Sequence, residues 1–479
     1  HGVFDLLHVG HIRHLNSAKD FGDILVVTLT SDRFVRRGPG RPVFNQTLRA
    51  EALANLSVVD FVCVVDYPTA IEAIIAIKPD FYVKGPDYKK KEDDITAKIF
   101  DEEDTLESVG GRLVFTDDLT FSSSQLTNAY FETYPPNTIN YLKGISASTS
   151  ADQILTLLKQ AQRLKVLVIG DAIIDQYHYC IPLGKSAKES LVANKYVSEE
   201  DFAGGALATV NHVAQLTHQV ELFSMLGELQ DHSQFVRAHL DPYIKPHLLT
   251  RAGCVTTIKR RYVSTDANKK LFEIVFIDDH ALTATEERLV LESLEREIDN
   301  FDLVIASDFG HGLITPQVQE LLCARAKILA INVQTNSANF GFNMITKYRR
   351  ADLVCIDERE LRLATHDRFS PLATLLARIQ KQLGCKQIIA TMGPQGSLSY
   401  NAEEEYHECP ALAHQSIDTI GAGDAFFSFS AVCFALGLSQ DLVSFIGNAA
   451  GALKVQIQGN REPVKFVDLA KFIVRLLKI

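Results

Sequence analysis

Two short segments near opposite ends of the chain combine side chains and glycines that suit the handling of phosphate groups. The first, HGVFDLLHVGH, occupies residues 1–11, and the second, DTIGAGD, occupies residues 418–424. The chain has no G-x-x-x-x-G-K-S/T loop, so it is not a P-loop enzyme. Each segment therefore needs its own chemical explanation.

In the first segment, His8 and His11 lie three residues apart, where a strand is expected to turn into a helix. At that spacing both imidazoles project from one helix face. The free N–H groups and the dipole of a helix N terminus favour an anion, and Gly10 removes a side chain that would block a phosphate. The arrangement suits a nucleoside triphosphate whose leaving pyrophosphate gains charge, because positioning and electrostatics can supply most of the rate. Taken alone, the pattern also fits surface or capping histidines.

The second segment leads into an apolar helix pattern, AFFSFSAVCFALG. Gly421 and Gly423 permit a tight turn that leaves backbone N–H groups facing a cavity. The dipole of the following helix stabilises the charge that builds on a transferring phosphoryl group. Asp424, in the first helical turn, can take the proton from an attacking sugar hydroxyl. A glycine turn followed by an aspartate also occurs as pure structure, so the surrounding elements decide between the two interpretations.

Length and composition narrow the class of protein. A chain of 479 residues is too long for one ordinary core and predicts two or three domains. Hydrophobic residues make up 46% and charged residues 22%, which indicates a globular protein. The net charge of -11 argues against nucleic-acid binding. The eight cysteines contain no CxxC pair and fit a reducing cytoplasm, and no apolar run is long enough to cross a bilayer. Because His1 already belongs to a motif, we expect a leading strand ahead of it.

Residues 1–134 alternate short apolar segments with helical stretches. The segments predicted as strands are 24–29, 61–65, 81–83 and 113–115, and the predicted helices lie at 11–21, 47–56 and 70–77. This βα alternation predicts a parallel, doubly wound sheet of Rossmann-like type.

A second α/β domain is predicted over residues 164–479, after a linker at 135–163 that carries one amphipathic helix. Further strands are predicted at 165–170, 303–306, 328–332, 353–356 and 388–391. The stretches 176–203 and 254–278 are rich in β-forming residues and lack helical period. We expect them to form a small sheet that acts as a lid.

Residues 1 to about 130 resemble the cytidylyltransferase-like family of nucleotidyltransferases. The resemblance rests on GVFDLLHVGH, Gly22-Asp23, Arg41-Pro42, Arg49, VKGPDY at 83–88 and the serine run at 122–124. It implies that His8, Gly10 and His11 bind the triphosphate and that Lys84 completes the cradle with Ser122, Ser123 and Ser124. It also implies a phosphate or base contact for Arg49 and a place near the substrate phosphate and metal for Asp5. Asp5 equally suits a turn cap.

Residues 164–479 resemble the ribokinase-like (PfkB) sugar kinases. This chain carries GDAIIDQY, GGALATVNHVA, SDFGHG, TMGPQG and DTIGAGD, in the order in which that family carries the corresponding motifs. The likeness implies that Asp424 is the catalytic base and that the backbone of Gly421, Ala422 and Gly423 forms an anion hole. It implies sugar contacts by Asp175, Gly204, Gly205 and Asn211, and contacts to the sugar's phosphate by Lys259 and Arg261. It implies nucleotide contacts by Thr391, Gly393 and Gly396, with Glu360 organising Mg²⁺.

Several positions of this sequence depart from the kinase pattern. Ala208 replaces the Asn that usually follows the glycine pair, with Asn211 one turn later, and His311 replaces a Lys. The Asn of the NxxE element is Asp357, and Asn332-Val333-Gln334 replaces Asp-Pro-Lys. These changes indicate either an unusual substrate or a kinase fold without activity.

Both halves are most similar to the halves of bifunctional ADP-heptose synthases, in the reverse order. We therefore expect a cytoplasmic homodimer, paired through the kinase lid, that phosphorylates a sugar or sugar phosphate with Mg²⁺ and ATP. The first domain would transfer a nucleotidyl group from ATP or CTP to a sugar 1-phosphate. Neither nucleic acid nor membrane is expected as a partner. Two alternatives stay open: a polyol-phosphate cytidylyltransferase fused to an unrelated kinase, and a nucleotidyltransferase attached to a non-catalytic kinase-fold scaffold.

Overall fold

The chain forms two compact units in the computed structural model. The structure describes residues 1–35, 38–85, 98–116, 134–266, 269–278, 280–403, 405–413 and 416–478. One unit comprises His1–Ser146 together with Val467–Ile479, and the other comprises Ala147–Phe466. The last helix is thus grouped with the N-terminal unit, whereas the sequence pattern assigned it to the C-terminal domain.

The N-terminal unit contains two parallel pairs of strands. Its strands are β1 (Val26–Thr30), β2 (Phe61–Val65), β3 (Phe81–Lys84) and β4 (Arg112–Phe115). β1 pairs with β2, and β3 pairs with β4, both in parallel. Gly2 forms a parallel bridge to Leu29 ahead of the first helix. The predicted alternation of strands and helices is confirmed, although the described strands form two separate pairs and not one continuous sheet.

Helices cover these strands and build two small cores. They span Val9–Lys19, Gln46–Ala54, Ile71–Ile77, Lys98–Ser108, Pro136–Ser148 and Phe466–Leu477. Leu15 and Leu53 pack on Val27 and Leu29 of β1. A second cluster joins Ala70, Ile74, Tyr82 and Leu106. The sequence pattern predicted one helix in the linker at 135–163 and missed the helix Pro136–Ser148. Pro136 begins this helix, where a missing N–H costs nothing.

The last helix is anchored to the N-terminal unit through buried side chains. Arg475 donates to the carbonyl of Pro39 over 3.2 Å and to the hydroxyl of Tyr134 over 2.9 Å. Gly38 has a φ of +88°, and an added Cβ there would lie 2.5 Å from the Phe472 ring. Only glycine therefore fits this close approach. The helix contributes packing to a unit whose other residues lie more than 300 positions earlier, so local sequence patterns could not assign it.

The C-terminal unit is built on a nine-stranded sheet of strand order β17-β16-β15-β14-β13-β12-β5-β8-β9. The strands of this sheet are β5 (Val166–Gly170), β8 (Val220–Leu229), β9 (Ile244–Val255), β12 (Leu303–Asp308), β13 (Leu329–Val333), β14 (Leu353–Asp357), β15 (Gln387–Thr391), β16 (Ser397–Asn401) and β17 (Glu405–Cys409). β16 and β17 are antiparallel to their neighbours, and the other pairs are parallel. The carboxyl ends of the parallel strands therefore share one edge, where ligands bind in such sheets.

Helices cover the large sheet. They span Ala151–Lys159, Ala206–Val213, Ser233–Ala238, Ala284–Glu297, Pro316–Arg325, Glu358–Thr365, Leu372–Leu383, Ala422–Ala435 and Gln440–Lys454. One continuous core joins the strands to the helices around them, with Val304, Ile331, Val354 and Ile388 all fully buried. β5 and β13 are buried along their whole length, as expected for a parallel sheet covered on both faces.

A separate four-stranded sheet, termed here the small sheet, forms where the β-rich stretches predicted a lid. Its strands are β6 (Ala172–Lys185), β7 (Val192–Gly205), β10 (Thr257–Ser264) and β11 (Lys269–Phe276), in the order β11-β10-β6-β7. Tyr177, Phe202 and Val263 of one face pack together with Ile420 of the DTIGAGD segment. Because side chains alternate between faces, residues an odd number of positions from Tyr177 along β6 lie on the opposite face.

Among the helices that the structure describes, none combines the length and apolar character needed to cross a membrane.

Candidate active sites

The DTIGAGD segment forms a tight turn into a buried helix. The helix Ala422–Ala435 begins after Gly421, which has a φ of +78°. A side chain at Gly421 would also clash with Asn460, so glycine is required twice over. Asp424 lies in the first helical turn and is only 7% exposed. The turn thus brings backbone N–H groups and one buried carboxylate to the same end of the helix.

Asp424 has the environment of a general base. Its Oδ1 accepts a hydrogen bond from Gln334 Nε2 over 2.8 Å. Burial, together with the nearby charge of Asp175, raises the pKa of Asp424 to about 6. A base whose pKa lies just below neutrality is ionised at working pH yet still accepts a proton. Gln334 belongs to one of the segments that depart from the kinase pattern.

Predicted sugar-binding residues converge beside Asp424. Lys259 lies opposite Asp175 in the parallel register of β10 and β6, and Arg261 forms ion pairs with Asp175 and with Glu273. Burial lowers the pKa of Lys259, while the charges of Asp175 and Asp424 act in the opposite direction. Asp175, Lys259 and Arg261 therefore lie on the face of the small sheet that is turned towards residues 418–424, termed here the catalytic turn.

Gly204 and Gly205, the glycine pair of GGALATVNHVA, allow the backbone to approach Asp175 closely. A side chain at Gly204 would clash with the Asp175 carboxylate, and Gly205 has a φ of +58°. Asn211, also predicted to contact sugar, has its amide occupied elsewhere. Its Nδ2 donates to the His239 carbonyl, and its Oδ1 accepts from the Asp241 amide, each over 2.9 Å. Asn211 therefore holds the segment that follows the helix Ser233–Ala238, and a sugar contact by it remains a prediction.

The predicted nucleotide residues follow β15 at the shared strand edge. Gly393 and Gly396 have φ values of +56° and +95°, and a side chain at Gly396 would clash with the Cys409 carbonyl. Thr391 ends β15, with its hydroxyl 3.5 Å from the Ile356 carbonyl. The backbone conformation alone therefore explains the glycines at 393 and 396, whether or not a nucleotide binds there.

Glu360 is the carboxylate predicted to organise magnesium. Its Oε1 accepts from the Thr335 amide over 2.8 Å and its Oε2 from the Asp357 amide over 3.0 Å. Burial raises the pKa of Glu360 to about 7. In the parts of the chain that the structure describes, no three acidic, His or Cys side chains converge on one point. Mg²⁺ commonly takes one or two carboxylates plus waters and substrate phosphates, so a single buried glutamate fits it.

His311 supplies no positive charge in place of the usual lysine. Burial, with the charge of Lys259 nearby, lowers the pKa of His311 to about 3, so its ring is neutral at physiological pH. Its Nε2 lies 3.2 Å from the Asn336 amide. The loop that carries His311 is held by Asp171, which accepts from the amides of Phe309, His311 and Leu313. Lys259 is thus the cation adjacent to this neutral ring.

The first site is formed where the chain enters the helix Val9–Lys19. His8 caps this helix, with its Nδ1 accepting from the Gly10 amide over 3.1 Å. The rings of His8 and His11 stack with their centroids 3.9 Å apart. Burial lowers the pKa of His8, which favours the neutral ring. A neutral ring that accepts at Nδ1 carries its proton on Nε2, so His8 has a donor suited to a phosphate oxygen.

Lys84 lies at the end of β3 in the same unit. Its ammonium is 2.8 Å from Glu102 Oε2 and 5.1 Å from the Tyr82 ring centroid. Phosphate binding by Lys84 would have to compete with this ion pair. Ser122, Ser123 and Ser124 lie outside the described residues.

Arg49 and Asp5 have structural partners instead of an open site. Arg49 is 1% exposed. Its guanidinium donates to the carbonyls of Val3, Thr30 and Phe44 and to the carboxylate of Asp32. Asp5 accepts from Arg41 and from the amides of Val43 and Phe44. For Asp5, the turn-cap interpretation matches these contacts. For Arg49, four of the five guanidinium N–H groups donate to backbone carbonyls or to Asp32. The position of an arginine in the sequence does not reveal such contacts.

Several residues around the catalytic turn were not anticipated as site residues. They are Asp171, Tyr177, Lys270, Gln334, Lys454 and Asn460. Lys454 offered one usable signal, since it is a lysine at the end of a helix whose sequence is mostly apolar. The others make contacts across 90 or more residues, which spacing cannot show.

Family models match both halves of the chain. Residues 163–466 match the model of the pfkB family carbohydrate kinases, and residues 1–112 match the cytidylyltransferase-like model. The chain belongs to the pfkB family and carries a cytidylyltransferase-like domain ahead of the kinase fold.

Among curated relatives, the chain is similar to proteins named bifunctional protein HldE. The one from Syntrophotalea carbinolica is 44% identical over 118 residues, which cover 24% of this chain and 23% of the relative. The one from Shewanella loihica is 26% identical over 297 residues, which cover 61% of this chain and 60% of the relative. The chain thus spans less than two thirds of these relatives in any single alignment.

Solved structures show the kinase fold. The ribokinase of Thermotoga maritima superposes with a TM-score of 0.53 at 17% identity, covering 64% of this chain and 99% of that one. Phosphofructokinase-2 of Escherichia coli, in complex with substrates and products, gives 0.53 at 14% identity, covering 65% and 99%. At these identities the likeness establishes the fold alone.

The contacts of Arg49 generate a testable prediction. Arg49→Met should destabilise the N-terminal unit by about 3–5 kcal/mol, because it leaves buried carbonyls and Asp32 without their donor. Amide exchange across β1 and β2 would measure this. Arg33→Met is the matched control, since Arg33 is exposed and pairs with Asp66 at the surface. Unchanged exchange combined with weaker nucleotide binding would instead support the predicted phosphate contact.

Proposed function

We propose that the chain is a bifunctional enzyme of nucleotide-sugar synthesis. Its C-terminal unit phosphorylates a sugar or sugar phosphate with Mg²⁺ and ATP. Its N-terminal unit transfers a nucleotidyl group from ATP or CTP to a sugar 1-phosphate and releases pyrophosphate. The observation that carries the kinase assignment is the buried Asp424 carboxylate, adjacent to the glycine turn and to the cluster of Asp175, Lys259 and Arg261.

The proposed phosphotransfer uses groups that already face one another. Asp175 and the backbone at Gly204 and Gly205 orient the sugar, and Asp424 takes the proton of the attacking hydroxyl. An O–P bond forms to the γ-phosphorus of ATP while the bond to ADP breaks. The backbone N–H groups of the 421–423 turn and the helix dipole stabilise the charge on the transferring group. Mg²⁺ held through Glu360 would offset the charge of the nucleotide phosphates.

The charges of the small sheet favour a phosphorylated substrate. Lys259 is largely buried, and its ammonium lies 5.7 Å from the Phe309 ring centroid. Arg261 already shares its charge with Asp175 and Glu273. A cation as poorly hydrated as Lys259 is stabilised by an anionic ligand. We therefore favour a sugar phosphate of the heptose-phosphate kind, in keeping with relatives named bifunctional protein HldE.

The proposed nucleotidyl transfer needs no covalent intermediate. A sugar phosphate oxygen attacks the α-phosphorus of the nucleoside triphosphate, and pyrophosphate leaves. His8 and His11 at the helix N terminus, with Lys84, would stabilise the charge on the leaving group. The nucleophile needs no general base, because a sugar phosphate is already ionised at neutral pH. Catalysis can therefore come from the positioning of the reactants and from the charges around the leaving group.

The second candidate function is a nucleotidyltransferase attached to a non-catalytic kinase fold. The neutral His311 and the structurally engaged Asn211 favour it. Asp424, with a pKa suited to a base, opposes it. A screen of free and phosphorylated sugars with ATP and with CTP, reading ADP and pyrophosphate separately, distinguishes the candidates. Pyrophosphate release without any sugar-dependent ADP would favour the scaffold.

We also propose that the small sheet pairs two copies of the chain. Its face opposite Asp175 carries an apolar row on β11, where Phe272, Ile274 and Phe276 are 49%, 43% and 38% exposed. Phe272 stacks on Tyr262 of β10, with ring centroids 4.4 Å apart. An apolar sheet face of this kind is rarely left in water, and a second copy would cover it while the other face stays on the sugar.

The dimer proposal predicts the effect of a charge on this row. Phe272→Glu should convert a dimer at micromolar concentration into a monomer, because a carboxylate would be buried without a partner at the interface. Light scattering measures the mass. Phe369→Glu is the control, since Phe369 is 89% exposed and lies between the helices Glu358–Thr365 and Leu372–Leu383, outside the strands of the small sheet. A wild type that is already monomeric would refute the proposal.

The kinase assignment predicts the effect of removing the base. Asp424→Asn preserves size and hydrogen-bonding shape, and sugar-dependent ADP formation should fall by roughly 10²-fold or more. ATP binding, measured by calorimetry, should change little because the backbone anion hole remains. Nucleotidyl transfer should continue when sugar 1-phosphate is supplied directly.

The wild-type pH profile provides an independent control for Asp424. The base acts only when ionised, so its raised pKa confines activity to pH values above it. kcat/KM for phosphorylation should fall as pH decreases through about 6. Phosphorylation unchanged in Asp424→Asn would exclude Asp424 as the base.

The two-site assignment predicts a complementary loss at the first site. His11→Ala should abolish pyrophosphate release, because it removes a ring from the stacked pair at the helix N terminus. Sugar-dependent ADP formation should stay near the wild-type rate, since the C-terminal unit has its own core. Coupled assays for pyrophosphate and ADP on the same preparation measure both. Equal loss of the two activities in a folded protein would contradict two separate sites.

A further inference from the structure

A lysine with no solvent exposure lies directly under the catalytic turn. Lys454 ends the helix Gln440–Lys454, and its side chain is 0% exposed. Its ammonium donates to the Ile420 carbonyl over 2.9 Å and to the Gly459 carbonyl over 2.6 Å. Burying an ammonium is costly unless it is paired and hydrogen-bonded. A position that keeps a lysine at this cost calls for a reason beyond packing, for which an apolar residue would serve better.

The two carbonyls belong to segments that shape the phosphate-receiving turn. Ile420 immediately precedes Gly421, and an added Cβ at Gly421 would lie 3.0 Å from Lys454 Cε. Gly459 donates its own amide to Asp418, which also accepts from the Ile420 amide. The ammonium and the Asp418 carboxylate thus hold the same two backbone segments, the ammonium through their carbonyls and the carboxylate through their amides.

The charges around Lys454 keep its ammonium protonated. Burial lowers the pKa of Lys454 to about 8, and the carboxylates of Asp418, Asp424 and Asp175 limit that decrease. Lys270 is the further cation nearby and acts in the same direction as burial. At neutral pH the lysine therefore carries a positive charge, and this charge contacts the carbonyl of Ile420, the residue just before the proposed anion hole at 421–423.

We propose that Lys454 is a positioning residue for phosphotransfer, acting as a built-in monovalent cation that fixes the 421–423 turn and adds positive charge behind it. Backbone carbonyls are also the ligands by which proteins hold K⁺. A tethered ammonium satisfies the same oxygens with the same charge, so the kinase site needs no free monovalent cation. This inference rests on the kinase activity proposed above.

Two substitutions separate charge from packing. Lys454→Ala removes the ammonium and leaves space, whereas Lys454→Met removes the charge but fills the position of the stem. Both should lower kcat for sugar phosphorylation by roughly 10²-fold, the usual effect of losing one preorganised group near an anion hole, with little change in KM for the sugar. KCl or ethylammonium chloride should restore activity to Lys454→Ala and not to Lys454→Met. Lys465→Met, at an exposed lysine, is the control.

Amide exchange tests the same inference without a known sugar. Exchange of residues 418–425 should accelerate in Lys454→Ala and slow again on addition of KCl. The wild type should phosphorylate its sugar equally fast in potassium and in tetramethylammonium buffers. A wild type that requires potassium, or Lys454→Ala with normal kcat or without cation rescue, would overturn the proposal. If Lys454→Ala does not fold, the wild-type buffer comparison and Lys454→Met decide. A wild type that phosphorylates no sugar, with exchange behaving as expected, would refute the kinase assignment alone.

Discussion

The geometry of the kinase site depends on the buried carboxylate of Asp418. It accepts hydrogen bonds from Tyr177 and Lys270 of the small sheet and from the amides of Ile420 and Gly459. Burial alone would raise the pKa of Asp418, but the hydrogen bonds outweigh it, and the pKa lies below its usual value. The carboxylate is therefore ionised whenever the protein is folded at neutral pH. One charge thus joins the 418–424 turn to the sheet that carries the residues predicted to bind the sugar.

The surrounding carboxylates differ because their partners differ. Asp418 is surrounded by donors and remains ionised. For Asp424, burial and the like charge of Asp175 outweigh its one amide donor, so its pKa rises to about 6. When the surroundings of two neighbouring acids give them different pKa values, the two acids can serve different roles. Asp418, with the lowered pKa, is suited to a structural role, and Asp424, with the raised pKa, is suited to proton transfer. The same contrast explains why Asp424, and not the first aspartate of the motif, is suited to act as the base.

Sequence patterns predicted the features that repeat locally and missed those made by distant contacts. The strands at 61–65 and 353–357 and the small sheet follow from apolar runs and β-forming residues, and both folds follow from motif order. The helix that begins at Pro136 and the grouping of 467–479 with the N-terminal unit depend on packing partners far along the chain. The hydrogen bonds of the buried Arg49 also depend on distant partners, while the phosphate or base contact that the family resemblance implies for it stays a prediction. Tertiary contacts decide such cases because one residue type can satisfy several roles.

The departures from the kinase pattern alter how charge is supplied, and the structure shows where it comes from instead. His311 is neutral, and Gln334 brings an amide to Asp424 where the pattern has a lysine. The site has nevertheless not lost its cations, since Lys259 and Lys454 both lie near Asp175 and Asp424, each with a pKa lowered by burial. Because backbone carbonyls hold the Lys454 ammonium in one place, its charge favours one position of the phosphoryl group that is transferred. This argues that the altered residues change which sugar is accepted more than whether phosphoryl transfer occurs.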